Sequence, residues 1–324
     1  MKRLIYSVLA LAAMAFAFPS CNDDAPEEVQ VTFMASLAQN TSSRALSDGS
    51  KISKVKCEVY EGDIKRTEDI VDFKNGSAKY TPTLLKGRTY NAYFFAYTEG
   101  SYNVDDLQEV TRKKNISNDE AMDAFSGSKT ISTTDMGESL NVPLTRPLAQ
   151  LNFATTADDI KNTRKLLSTN GLIDEEPAMT LCTSSVKIAT MSTSYNVLEG
   201  KSNDATPSEQ VLSEASIPTE AEKIKVNDVE YTVLATTYLF PGETTTCHLN
   251  VYAASNAERT DKTLVNQTDW VLTYSYVPLL ANTRTNVIGS LMTGNLPYEI
   301  TLSTGFTGTD NNSGLDGNFP ASNE

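Results

Sequence analysis

Cys21 is the residue with the most readable chemistry in this chain. Lys2 and Arg3 precede an apolar run over residues 4–18 that ends in Phe18-Pro19-Ser20-Cys21. At about fifteen residues the run is too short to span a bilayer, but it suits the hydrophobic segment of a secretory leader. A thiol directly after a small residue at that place is what lipoprotein processing uses: the sulfur takes a diacylglyceryl group and the preceding peptide bond is cut. Phe18 stands where leucine is usual and Pro19 is unusual beside the cut, while acidic Asn22-Asp23-Asp24 continues as in many surface-exposed lipoproteins. Residues 1–20 therefore read as a signal peptide and Cys21 as the lipidation site, which brings the precursor to the outer membrane.

A second reactive position is the bond between Arg44 and Ala45. Arg44 stands alone in Asn40-Thr41-Ser42-Ser43-Arg44-Ala45, among small polar residues that leave a backbone open to a protease. The loop follows directly on Val29, Val31, Phe33, Ala35 and Leu37, which alternate with Gln30, Thr32, Met34 and Ser36 at the two-residue period of a half-buried strand. A cut after Arg44 would remove that strand, so residues 21–44 read as a propeptide.

Other reactive types lead to no catalytic site. His248 is the single histidine, which excludes a multi-histidine metal centre; it follows Cys247 in a strand-like stretch and should face away from that thiol. No nucleophile elbow, zinc-protease helix, P-loop or dinucleotide fingerprint occurs. The tail Asp310-Asn311-Asn312-Ser313-Gly314-Leu315-Asp316 resembles a calcium loop in composition, but its glycine is misplaced and no glutamate closes it. With Cys21 lipidated, three cysteines remain: Cys57 should be a buried thiol, and Cys182 and Cys247 could pair. Neither cofactor nor metal is expected, and 27 basic against 41 acidic residues, a net charge of −14, would repel nucleic acid.

The elements that must hold these positions are strands. Period-two segments recur at 52–60, 69–73, 78–81, 90–97, 129–132 and 140–144, with turns such as Lys74-Asn75-Gly76 between them. Tyr90 to Tyr97 carries apolar residues on both faces, as in a central strand covered on both sides. A helical insert is expected from Ser117 through Phe125, with Ser117 and Glu120 as a capping box. Near Thr145-Arg146-Pro147 a second series begins, with a helix over about 157–168 capped by Thr156 and Asp159; residues 200–221 read as a surface excursion. The fold class is all-β, two β-sandwiches in tandem over 45–145 and 146–294 with short helical insertions. In the final segment, 295–324, Leu296, Tyr298, Ile300, Leu302 and Phe306 share one face, at the spacing of the strand ahead of Arg44. They form a candidate donor strand for the groove that the lost strand would leave, with Thr301 and Ser303 on the other face.

Val142-Pro143-Leu144-Thr145-Arg146-Pro147-Leu148-Ala149-Gln150-Leu151-Asn152-Phe153, Tyr238-Leu239-Phe240-Pro241 and Asn282-Thr283-Arg284-Thr285-Asn286-Val287-Ile288-Gly289, in this order, resemble the recurring phrases of the fimbrillins, the type V pilins of Bacteroidales. The resemblance implies two transthyretin-like sandwiches, a lipidated precursor, cleavage after an arginine by a trypsin-like protease, and polymerisation in which one subunit's C-terminal segment replaces its neighbour's removed strand. It implies a fimbrial subunit at the cell surface that supports adhesion, with other copies or related subunits and a processing protease as partners. The alternatives are a fimbrial anchor or tip subunit, or a monomeric glycan-binding surface lipoprotein.

Overall fold

The computed structural model describes residues 26–37, 49–134, 139–173, 179–203, 208–217, 223–254, 261–266, 268–294 and 298–304. The fold is all-β. Eleven strands precede residue 145: β1 (Glu28–Gln30), β2 (Phe33–Leu37), β3 (Lys54–Glu61), β4 (Ile64–Asp72), β5 (Ser77–Tyr80), β6 (Thr83–Leu85), β7 (Thr89–Tyr97), β8 (Tyr102–Asn103), β9 (Val110–Arg112), β10 (Ala124–Ser132) and β11 (Leu140–Leu144). After it come β12 (Ala149–Thr155), helix α1 (Ala157–Thr169), β13 (Thr180–Met191), β14 (Ser194–Asn196), β15 (Lys201–Ser202), β16 (Ser208–Ser216), β17 (Lys223–Val226), β18 (Val229–Leu239), β19 (Thr245–Ala254), β20 (Thr263–Leu264), β21 (Leu272–Val277), β22 (Thr283–Gly289) and β23 (Glu299–Thr304).

The N-terminal sandwich packs the sheet β10-β7-β3-β4 against β11-β2-β5, with the pair β1-β6 alongside. Alternation decides the packing. Val55, Cys57 and Val59 of β3 and Phe94 and Ala96 of β7 meet Phe33, Ala35, Tyr80 and Val142 in one buried cluster. The Asn75-Gly76 turn closes β4 onto β5 with φ of 53° and 77°, values that asparagine and glycine tolerate best.

The C-terminal sandwich faces β17-β18-β12-β22-β23 with β16-β13-β19-β20, β21 also pairing β19. Leu151, Phe153, Val186, Ile188, Leu249, Val251 and Val287 fill its core, and Leu167 of α1 plugs one end. Thr156 caps α1 by accepting from Asp159 N at 3.1 Å, as the capping pattern predicts. The Asp159 carboxylate then turns away from the cap, accepting from Thr155 Oγ1 at 2.5 Å and Met292 N at 2.8 Å.

A third core joins the two. Strands β8 and β9 pair with β14 and β15 in one small sheet, over Phe95, Tyr102, Leu107, Leu148, Tyr195, Tyr238 and Phe240. Tyr90 to Tyr97 is thus the two-sided central strand that alternation predicts, with Phe94 in the N-terminal core and Phe95 in the joint.

Two expectations need correction. The helix over 117–125 reduces to a 3₁₀ turn at Glu120–Met122 capped by Asp119. Ser117 Oγ instead donates to Ser184 O at 3.1 Å across the joint, and Asn118 at φ 53° breaks the helical path. Within the supposed excursion 200–221 lie β15 and β16, the latter a full edge strand on β13. Its mostly exposed, serine- and glutamate-rich faces hide the apolar period, so composition alone reads it as a loop.

Candidate functional site

Val31, Phe33 and Ala35 are 0 %, 0 % and 2 % exposed, with Val29 and Leu37 half-buried beside them, so the five residues expected on one face do line one core. The Phe33 ring centroid lies 5.5 Å from that of Phe94 and 6.3 Å from that of Tyr80. Their strand is bent into two. β1 runs antiparallel to β6, Val29 opposite Leu84, and β2 runs between β11 (parallel) and β5 (antiparallel), with Ala35 opposite both Val142 and Ala78. At the bend Val31 N donates to Pro82 O at 3.0 Å and Thr32 O accepts from Leu140 N at 2.8 Å, so the change of partner leaves neither group unmet. Thr32 and Thr81 hydroxyls lie 3.3 Å apart, and Glu27 anchors the start through Lys86 Nζ at 2.9 Å.

This segment is therefore the middle strand of a sheet that closes the N-terminal core. Taking it out would open two ladders of backbone groups at once and bare slots for a valine and a phenylalanine, each worth about 1.5–3 kcal/mol of burial. Cys21, Arg44 and Ala45 lie outside the described residues; β2 ends at Leu37 and the described chain resumes at Gly49.

At the other end, β23 lies antiparallel on β22, with Ile300 opposite Val287 and Thr304 opposite Thr283. Leu296 and Phe306 lie outside the described residues. Tyr298 and Ile300 pack half-buried on the C-terminal core, and Leu302 is half-buried. The Tyr298 ring meets Tyr274 edge-on at 5.2 Å, and its hydroxyl accepts from Ser275 N at 2.9 Å. The opposite face is not solvent-facing. Thr301 and Ser303 are 4 % exposed, and Thr301 ends a chain of side chains that crosses four strands. In it Thr236 Oγ1 donates to Asn152 Oδ1 at 2.9 Å, Asn152 Nδ2 to Asn286 Oδ1 at 2.8 Å, and Asn286 Nδ2 to Thr301 Oγ1 at 3.4 Å.

Sequence reasoning missed this chain and two further clusters. Glu58, fully buried on β3, accepts from Tyr60 Oη at 2.7 Å, Lys65 Nζ at 3.3 Å and Leu107 N at 3.3 Å. Beside it Lys56 and Lys65 each donate to Glu68 at 2.8 Å and hold that carboxyl down at about 2. At the joint Arg146 Nε and Nη2 each lie 2.6 Å from an Asp123 carboxylate oxygen, and the guanidinium sits 4.5 Å over the Phe125 ring. Arg112 donates to Tyr238 O, and Tyr238 Oη to Glu120 at 2.9 Å. The signal for both was a charged residue inside a strand pattern or beside a proline, which sequence alone reads as solvated.

Among the described residues the histidine and the cysteines stand apart from one another. His248 Nδ1 is 3.1 Å from Trp270 O and 3.1 Å from Thr273 Oγ1, a structural position. Cys57, Cys182 and Cys247 are buried. Cys247 lies opposite Ile188, six residues along β13 from Cys182 and so roughly 20 Å away, too far for a disulfide. Burial pushes the Cys57 thiol up, and that of Cys247 to about 12. Among the described residues no three His, Cys, Asp or Glu side chains could hold a metal ion, and no helix is long and apolar enough to cross a membrane.

The motifs that carry the family resemblance converge in space: β12 pairs with both β18 and β22, so the three phrases are one piece of sheet. Residues 22–319 match the model of DUF6562, a family of unknown function, and the chain belongs to that family. No curated protein sequence matches the chain. Among solved structures it is similar to a protein provisionally described as a cell adhesion protein from Bacteroides uniformis, at 12 % identity, 85 % coverage of this chain, 98 % of the other and a TM-score of 0.47. A fimbrial assembly protein from Parabacteroides distasonis matches at 10 % identity over 86 % of this chain and 100 % of the other, TM-score 0.40. The fimbrial anchor protein Mfa2 from Porphyromonas gingivalis matches at 10 % identity over 85 % and 97 %, TM-score 0.40.

Proposed function

We propose that this member of DUF6562 is a structural, non-enzymatic subunit of a cell-surface fimbria that supports adhesion. The precursor is lipidated at Cys21 and carried to the outer membrane. A protease cuts between Arg44 and Ala45 and frees residues 21–44, and the open groove is refilled by the C-terminal strand of another copy or a related subunit. One observation carries the reading. The second half of the segment ahead of the cleavable loop, β2, is neither a tail nor an edge but the middle strand of its sheet, bonded on both sides and buried on one face. A chain that discards such a strand gains a groove whose backbone and apolar wall favour a replacement.

The test is the first residue of protein sheared from cells. Assembled material should begin at Ala45, and Arg44→Ala should leave longer, lipid-bound monomers. Assembled material that begins at Cys21 would overturn the reading.

A tip subunit, which accepts a strand but donates none, draws support from β23, already paired on β22 with Thr301 and Ser303 buried. Capping and extension separate the two: a tip subunit added to growing fibres shortens them, a shaft subunit lengthens them.

A further inference from the structure

The proposed exchange leaves open which way the incoming strand runs and which of its side chains enters which slot. The groove itself is uneven. Ala35, 2 % exposed and opposite both Val142 and Ala78, fills its place with a methyl alone, so its slot is the smallest of the five in a close-packed core. The Phe33 slot, walled by Phe94 and Tyr80, is large, and the Val31 slot is fully closed from solvent. Leu37 lies over Gly49, whose added Cβ would stand 2.7 Å from Leu37 Cδ1 and 3.2 Å from the Phe125 ring, so that slot ends against an aromatic wall.

Resting on the strand-exchange reading above, we infer that residues 298–306 of a second copy enter this groove in the same polarity as the strand they replace, Tyr298 at the place of Val29 and Phe306 at that of Leu37. In this register Ile300 takes the Val31 slot, one β-branched side chain for another. Leu302 takes the Phe33 slot, Thr304 the small Ala35 slot and Phe306 the slot of Leu37. The other face matches too. Thr301 falls at Thr32, whose hydroxyl meets that of Thr81, and Glu299 falls at exposed Gln30.

Other registers fail at Ala35 or in a neighbouring slot. Sliding two residues either way puts Leu302 or Phe306 into the methyl slot, and a one-residue slip turns the polar face inward. The opposite polarity centred on Leu302 puts Ile300 there. The opposite polarity that keeps Thr304 at Ala35 leaves Gly308 in the closed Val31 slot and Asp310 against Leu84. Only the same-polarity register puts the smallest of the inward-facing side chains at Ala35 and an apolar or aromatic side chain in each of the other four positions.

Paired cysteines test it in cleaved, full-length protein. Gln30 lies opposite Thr83 on β6, so Glu299→Cys with Thr83→Cys should give disulfide-linked ladders on assembly and none in the uncleaved precursor. Buried Cys57, Cys182 and Cys247 stay out of the reaction. Thr307→Cys with Thr81→Cys should not link; ladders from that pair show reversed polarity and overturn the register while leaving strand exchange in place. Thr304→Leu, in protein that stays folded, should lower polymer yield about tenfold or more, because it overfills the smallest slot. A folded Thr304→Leu variant that polymerises as wild type overturns the register. Failure of cleaved wild-type protein to assemble overturns the proposed function, and this inference with it.

Discussion

Phe33 ties the proposed processing to stability through one side chain. It fills a slot between Phe94 and Tyr80 in the uncleaved chain and is lost in a chain that begins at Ala45. Phe33→Ala should therefore lower the precursor's stability by about 3–5 kcal/mol in urea unfolding, as for other buried phenylalanines. An unchanged unfolding midpoint would mean that the strand does not close the core. A second residue sets a pH window. Glu68 has an ordinary carboxyl value of 4.5 and is held at about 2 by hydrogen bonds from Lys56 and then Lys65. A depressed folded value stabilises above about 4.5 and is lost as pH falls towards 2. Stability should fall through that window, and less steeply in Glu68→Gln; equal slopes would deny Glu68 the effect. Because its side chain is 45 % exposed, the difference should be small.

The period of two made most strands readable, from β2 through β7 to β22, because each has at least one apolar face over a core. It failed where a face is buried but polar. Thr301 and Ser303 read only as the polar face of β23, yet both are buried and Thr301 closes the Thr236–Asn152–Asn286 chain, which sequence could not show because its members lie on different strands. The same blindness concealed Glu58, whose carboxylate faces the joint, and β16, whose edge position leaves little apolar pattern. For β23 the consequence is practical. Thr301→Asp cannot serve as a neutral control for Ile300→Asp, since it would bury a charge beside Asn286. Thr301→Asp should lower the stability of the soluble protein by about 2–5 kcal/mol, whereas Glu299→Gln, on an exposed position of the same strand, should change it little. Similar melting temperatures for both would show that the buried polar chain does not hold the strand.

At the scale of the whole molecule the joint between the two sandwiches is built like a core, so the two should melt as one body. Strands from both halves share the small sheet, and Arg146, stacked over the Phe125 ring, pairs bidentately with Asp123, the two being 6 % and 2 % exposed. Arg146 was visible in the sequence only as part of a recurring phrase, and its partner, twenty-three positions upstream, as part of a supposed helix. In the proposed fibre, tension enters through the strand in the groove and leaves through β23, and it crosses between the halves through the linker and the joint. Removing one member of a buried ion pair leaves the other charged and unpaired, at a cost of about 3–5 kcal/mol. Asp123→Ala should therefore lower the melting temperature sharply and split the single calorimetric transition expected of the wild type into two. Replacing both partners, as in Arg146→Met with Asp123→Leu, should recover most of the loss and the single transition, since no uncompensated charge remains. Two transitions in the wild type, or an Asp123→Ala variant that melts as the wild type does, would show that the halves are joined by their linker alone.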